Sequence, residues 1–86
     1  METLKVSSKS NSTKVAGALA NILKKDKKVD VQVIGAGALN QLIKSIIICR
    51  GLLAPTGNNI SCVPSFVETT IDDKEKTAIR ILIEII

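Results

Sequence analysis

Val33-Ile34-Gly35-Ala36-Gly37-Ala38-Leu39-Asn40-Gln41-Leu42-Ile43-Lys44-Ser45-Ile46-Ile47-Ile48-Cys49-Arg50-Gly51-Leu52-Leu53 holds the end of a strand, a glycine turn and a helix in unbroken succession. Val29, Val31, Val33 and Ile34 are β-branched and suit a strand that is at least half buried. Gly35 and Gly37 permit backbone angles and close approach that other residues resist, so the chain turns there. From Ala38 onward Leu39, Leu42, Ile43, Ile46, Ile47 and Leu53 recur at three- and four-residue intervals and define one face of a helix, which Ile48 and Cys49 widen. A helix apolar over so much of its circumference is expected to be covered on more than one side, by its own sheet and by a second subunit. Arg50 complements the helix dipole, Gly51 is expected to form a left-handed cap, and Pro55 prevents the helix from resuming.

Upstream of this segment, Leu4 to Ser7 reads as a short first strand with Leu4 and Val6 on one face. Ser8-Lys9-Ser10-Asn11-Ser12-Thr13-Lys14 has no apolar residue and is rich in helix-capping types, so it is a loop that leads into a helix. In that helix Val15, Ala18, Leu19, Ile22 and Leu23 share a face, and Gly17 implies a close contact with a neighbour, since it costs about 1 kcal/mol relative to Ala. Lys24-Lys25-Asp26-Lys27-Lys28 closes it as a solvated charge run at the negative end of the helix dipole.

Downstream, Ala54-Pro55-Thr56-Gly57-Asn58-Asn59 is a loop and Ile60 to Thr70 a long strand, in which Pro64 implies an edge position or a bulge. Asp72-Asp73-Lys74-Glu75-Lys76 makes a hairpin turn. Thr77 to Ile86 is the last strand, with Ile79, Ile81, Ile83 and Ile85 on one face and Ala78, Arg80, Leu82 and Glu84 on the other. Left as an open edge, its Ile-Leu-Ile-Glu-Ile-Ile ending is prone to aggregation, so it belongs in the sheet interior or under a partner subunit. The expected fold is a single domain over residues 1–86. It is an α/β (α+β) sandwich of order β-α-β-α-β-β, with two helices packed on a four-stranded mixed sheet.

Composition narrows the chemistry. Phe66 is the one aromatic among 86 residues, so nucleobase stacking on aromatic platforms is nearly excluded. With no histidine, no acid pair and no nucleophile beside a base, no catalytic constellation is present, and an enzyme is not expected. Cys49 and Cys62 lack metal-ligand spacing, so no metal or cofactor is expected, and both read as reduced, buried packing residues of a cytosolic protein. No apolar run approaches the roughly eighteen residues of a membrane span, and the amino terminus lacks the apolar region of a secretory signal. The net charge is +4 and uneven: residues 1 to 50 carry nine Lys and Arg against three acids, residues 51 to 86 three against five. A basic half attracts polyanions.

Three groups of residues suit that chemistry. Lys9 and Lys14 flank a Ser/Asn/Thr loop able to hydrogen-bond phosphate oxygens, which positions a backbone without reading sequence. Asn40 and Gln41 lie on the first turn of the second helix, where capping or solvation equally explains them, and Lys44 shares the face of Asn40. Gly35-Ala36-Gly37-Ala38-Leu39-Asn40 imitates a dinucleotide fingerprint, but Asn40 replaces its third small residue and the chain is too short for a doubly wound domain. Such a turn can still hold a phosphate at the helix start, or serve only to let helix and strand pack closely.

Leu4-Lys5-Val6-Ser7 with Lys9-Ser10, Val15-Ala16-Gly17-Ala18-Leu19-Ala20, Ile34-Gly35-Ala36-Gly37-Ala38-Leu39-Asn40-Gln41 with Lys44, Ala54-Pro55 with Gly57, and Thr77-Ala78-Ile79 resemble the stage V sporulation protein S family over essentially the whole chain. That family is similar in fold and element order to the Alba family of archaeal chromatin proteins, which are dimers that bind DNA or RNA. The resemblance implies a cytoplasmic sporulation regulator that binds nucleic acid as a homodimer. Its contacts would lie on the loop after the first strand, where Lys9 matches the position of key Alba lysines, on the start of the second helix, and on the hairpin arms. Ala36 and Ala38 stand where Alba proteins carry arginines, so strong phosphate clamping is not implied there. Asp72, Asp73 and Glu75 largely cancel Lys74 and Lys76 on the arm. A competing expectation is a protein-interaction module that regulates sporulation by docking a partner through the apolar second helix and the hairpin.

Overall fold

The computed structural model describes residues 1–86. The elements are β1 (Thr3–Lys5), α1 (Ser12–Asp26), β2 (Lys28–Val33), α2 (Ala36–Leu53), a 3-10 turn (Ala54–Thr56), β3 (Ile60–Ile71) and β4 (Lys74–Ile85). They form a four-stranded sheet of order β1-β2-β4-β3 with both helices on one face. β1 runs parallel to β2, and the other two pairings are antiparallel. This is the expected mixed α/β sandwich.

The sheet order resolves the aggregation hazard. β4 pairs with β2 on one side and β3 on the other, so its isoleucine-rich end is interior. Pro64, which cannot donate to a ladder, lies on the edge strand β3. Asp72 and Asp73 occupy the two-residue turn with φ of 51° and 61°, the positive pair that a tight hairpin demands and that Asp tolerates. Beyond the Val33↔Ile79 register position β2 has ended. The hairpin continues from Val67↔Ala78 to Ile71↔Lys74 as a free two-stranded arm.

Register assigns the faces. Val29, Val31 and Val33 oppose Ile83, Ile81 and Ile79 under the helices, while Asp30 and Gln32 oppose Leu82 and Arg80 on the open face. Leu19, Leu23, Leu42, Cys49 and Leu53 complete an aliphatic core with Val6 and these strands. On the open face Arg80 Nε donates to Asp30 Oδ1 at 2.5 Å, pairing a carboxylate whose side chain is 7% exposed.

Several expectations need correction. β1 begins one residue earlier and ends two residues earlier than expected, and Val6, just past its end, is a buried core residue. The buried stripe of α1 is Ala16, Leu19, Ala20 and Leu23, whereas Ala18 is exposed. A Cβ on Gly17 would meet nothing within 4 Å, so no close contact explains that glycine. Gly51 does not cap α2, because buried Leu53 anchors a further turn. Pro55 enters the 3-10 turn at a position that needs no N–H, and the left-handed residue is Gly57, φ 79°. Cys62 is exposed, not buried: the helices leave the margin of β3 uncovered. With the 3-10 turn, α2 becomes a continuous segment, Ala36–Thr56, that is long and apolar enough on length and composition to cross a membrane. Asn40, Gln41, Lys44 and Arg50 interrupt that run in the sequence. In the fold one of its sides is in the core through Leu42, Cys49 and Leu53.

α2 is therefore two-sided. Leu42, Ile46, Cys49 and Leu53 are buried, but Ile43, Ile47 and Leu52 are 43%, 65% and 48% exposed. Phe66, on the helix side of β3 beyond the reach of α2, is 78% exposed.

Candidate nucleic-acid interface

The loop between β1 and α1 holds itself in shape. Ser10 Oγ accepts from the Ser7 backbone N–H at 3.0 Å, the Ser10 N–H donates to Ser7 O at 3.1 Å, and the Lys9 N–H donates to Ser7 Oγ at 3.2 Å. These serine turns satisfy backbone groups locally and leave the Lys9 side chain exposed at the tip.

Two contacts then lock the loop onto α2. Gln41 Nε2 donates to the Ser10 carbonyl at 2.7 Å. At Gly37 a Cβ would come within 2.9 Å of the Ser8 Cβ, so only glycine lets the loop lie this close to the first helical turn. Gly35 supplies the preceding bend with φ 89°. The close approach expected of Gly37 is thus real, and its neighbour is the lysine loop.

Asn11 caps α1 through Oδ1, which accepts from the Lys14 N–H at 3.0 Å. Lys14 itself stands exposed in the first turn of α1, where the dipole disfavours a cation. No side chain caps α2 at Gly35, and neither helix has an acid in its first turn. Because Ser10, adjacent to the Asn11 cap, touches Gln41, the positive ends of both helices converge on one loop. The chain carries no acid from residue 3 to 25 or from 31 to 67, so nothing in the loop or in α2 opposes an anion.

Of the five residues singled out in the sequence, Lys9, Gln41 and Lys44 belong to one connected group. Lys44 Nζ donates to Gln41 Oε1 at 3.4 Å, so Gln41 joins the loop on one side and the lysine on the other. Gln41 is half-buried and its amide is occupied, which makes it a positioning residue first. Asn40 lies with Gln41 in the second turn of α2 and not in the first as expected, because the helix already begins at Ala36; it is exposed and makes no side-chain hydrogen bond, and Lys14 flanks the group from α1. The Lys24 to Lys28 cluster lies at the far end of α1, roughly 20 Å away at 1.5 Å per helical residue, and is not part of it. There Lys27, φ 68°, forms the helix cap and donates from its N–H to Leu23 O. Ser10 is the member that sequence reasoning missed as a partner. Its link to Gln41 spans 31 residues, and no local pattern announces such a contact.

The two thiols offer no reactive centre. Burial raises the Cys49 pKa above its ordinary value, with the neighbouring Cys62 adding to the effect, and partial desolvation raises that of Cys62. Both therefore stay protonated at neutral pH.

The fold has a solved counterpart. Alba from Thermoplasma volcanium superposes with a TM-score of 0.63, at 12% identity, over 96% of each chain. At that identity the likeness establishes the Alba-like fold. The sequence carries more: the model of the family described as stage V sporulation protein S (SpoVS) matches residues 2–86. The match spans essentially the full chain, and this protein belongs to the stage V sporulation protein S family.

Proposed function

We propose that the protein is a non-enzymatic regulator of sporulation that binds DNA or RNA along the phosphate backbone as a cytoplasmic homodimer. Lys9, Lys14 and Lys44 supply charge, Asn40 supplies an amide for phosphate oxygens, and Gln41 holds the lysine loop in place. The observation that carries this reading is the Ser10–Gln41 hydrogen bond, which joins an exposed lysine loop to an acid-free helix start. Contacts of this kind position a backbone and read no base, so binding should be weak in sequence preference and fall steeply with salt.

The dimer rests on a separate observation. Ile43 and Ile47 form an exposed stripe on α2 at i, i+4 spacing, and Asn40 and Lys44 lie one helical turn from them. Pairing two copies through Ile43 and Ile47 covers that stripe and brings the lysine groups of both copies to the edges of one seam. Covering this row removes exposed apolar surface from water. The same stripe, with Phe66, favours a second reading, in which a different protein docks there and regulation needs no nucleic acid.

The test is an anisotropy titration with labelled duplex DNA and RNA at about 50 mM salt. The first reading expects binding that a Lys9→Glu, Lys14→Glu double variant abolishes. Absence of binding, or binding that ignores both substitutions, removes it in favour of the second.

A further inference from the structure

A cleft of about 260 Å³ opens on the sheet face opposite the helices, in the crook where the β3–β4 arm leaves the sheet. None of the phosphate-positioning residues proposed above lines it. Its polar groups are Lys5 and Gln32, neighbours in the β1–β2 register, with Ser7 and Ser8 at the lysine loop and Thr69 from the arm. Its apolar walls include Ile34 and Ile71, which are 41% and 45% exposed. Both isoleucines lie outside the core, one just past the end of β2 and one at the end of the arm. Two exposed isoleucines facing one cleft suit an occupant with flat apolar faces.

The polar groups specify the rest. No carboxylate lines the cleft, and Lys5 has no ion-pair partner. The Gln32 side chain, half-buried, makes no hydrogen bond of its own, so its amide is free to donate and accept at the edge of a heterocycle. Ser8 and Thr69 add hydroxyls, and the Ser8 end of the cleft adjoins the Lys9 loop. At this size the site falls just below the roughly 300 Å³ at which drug-sized pockets begin, which suits a ligand of nucleobase size.

We infer that this cleft takes a single unstacked nucleotide, with the base between Ile34 and Ile71, its edge on Gln32 and its phosphate on Lys5. The inference rests on the nucleic-acid reading for the source of that nucleotide, a single-stranded segment whose neighbouring phosphates reach Lys9. A paired, stacked base cannot enter, so the cleft makes single strands the preferred substrate. Charge alone predicts the opposite, since duplex DNA carries the higher charge density and gives the steeper electrostatic term.

The test compares a ten-nucleotide RNA, a single-stranded DNA of the same length, a blunt duplex and free nucleoside monophosphates, titrated against wild type, Gln32→Leu and Ile71→Ser. Ile71 lies on the free arm, so Ile71→Ser keeps the test valid should Gln32→Leu fail to fold by circular dichroism. The expected result is tighter binding of single strands than of duplex, weakened about tenfold by either substitution with duplex binding unchanged. Weakened monophosphate binding with no single-strand preference also supports the cleft and assigns free nucleotide as its source. If single strands and monophosphates bind the variants as they bind wild type, the cleft assignment is overturned while backbone binding through Lys9 stands. If nothing binds at all, both fall.

Discussion

Gln41 Nε2 reaches the carbonyl of Ser10 at 2.7 Å, across 31 residues of chain, and its other side-chain atom, Oε1, accepts from Lys44 Nζ at 3.4 Å. One amide therefore sets the distance between the lysine loop and the lysine of α2. Gln41→Leu keeps the volume and every charge but cuts both bonds. The expected outcome is a loss of about 1 kcal/mol of stability by urea denaturation, with a several-fold drop in affinity for nucleic acid. Unchanged affinity would mean that the loop does not need its tether.

Gly37→Ala tests the same junction sterically. The new methyl would lie 2.9 Å from the Ser8 Cβ, so loop or helix must move. We expect a cost of about 1 to 3 kcal/mol in thermal or chemical unfolding, the scale of overpacking, together with weaker binding. Gly17→Ala is the control. Its Cβ meets nothing within 4 Å, so it should stabilise α1 by up to about 1 kcal/mol.

Ile47→Glu places a charge in the exposed stripe of α2, at a residue that is 65% exposed in the single chain. The fold should survive, because Ile47 is not part of the buried core. For the proposed dimer, sedimentation should change from dimer to monomer, and affinity for a long duplex should fall because two linked sites become one; a wild type that itself sediments as a monomer would contradict the pairing. A sedimentation profile identical to wild type would locate the interface elsewhere.

Arg80→Met leaves the Asp30 carboxylate nearly buried without its partner. The expected loss is about 2 to 3 kcal/mol in denaturant midpoint experiments, below the full cost for a buried pair because the Arg80 side chain is 37% exposed. Duplex binding by the folded fraction should be unaffected, since Arg80 is not among the residues proposed to contact phosphate and pairs with Asp30 alone.

The thiols predict a pH dependence. Cys49 has a folded pKa raised above 9.0, mainly by burial, so its protonated form is favoured more in the folded state than in the unfolded. That contribution is complete below pH 9.0 and is lost as pH climbs through the raised folded value. Wild type should lose stability on the alkaline side, and Cys49→Ala should show a shallower decline in urea midpoint as pH rises past 9.0.

Much of this molecule is legible in its sequence because the signals are local. Alternation in Ile79 to Ile85, Pro64 and the Gly35 bend each report on a few neighbouring residues, and each corresponds to the element found. The hairpin turn expected over Asp72 to Lys76 is instead confined to Asp72 and Asp73, because Lys74 to Lys76 belong to β4 and pair with Thr69 to Ile71. Other features depend on distant contacts. Ala16, Ala18 and Ala20 are chemically identical, so only the seating of α1 decides which of them is buried. The exposure of Cys62 follows from strand order, with β3 at the edge. Gly51 and Gly57 are both plausible stops, and Leu53 decides between them through its place in the core. In the candidate site Lys9, Lys14, Asn40 and Lys44 stand out by type, whereas the role of Gln41 emerges only once Ser10 is seen beside it. Lys5 and Gln32 give no sequence signal, because parallel pairing brings them together.

The central claim is that nucleic acid lies on the loop and helix starts joined by Ser10 and Gln41. Amide chemical-shift mapping during titration with a short duplex tests it residue by residue. The account predicts shifts concentrated in residues 7–14 and 35–44, with the Lys24 to Lys28 end of α1 unmoved. Shifts centred on that lysine cluster, or none in the loop at saturating duplex, would contradict it.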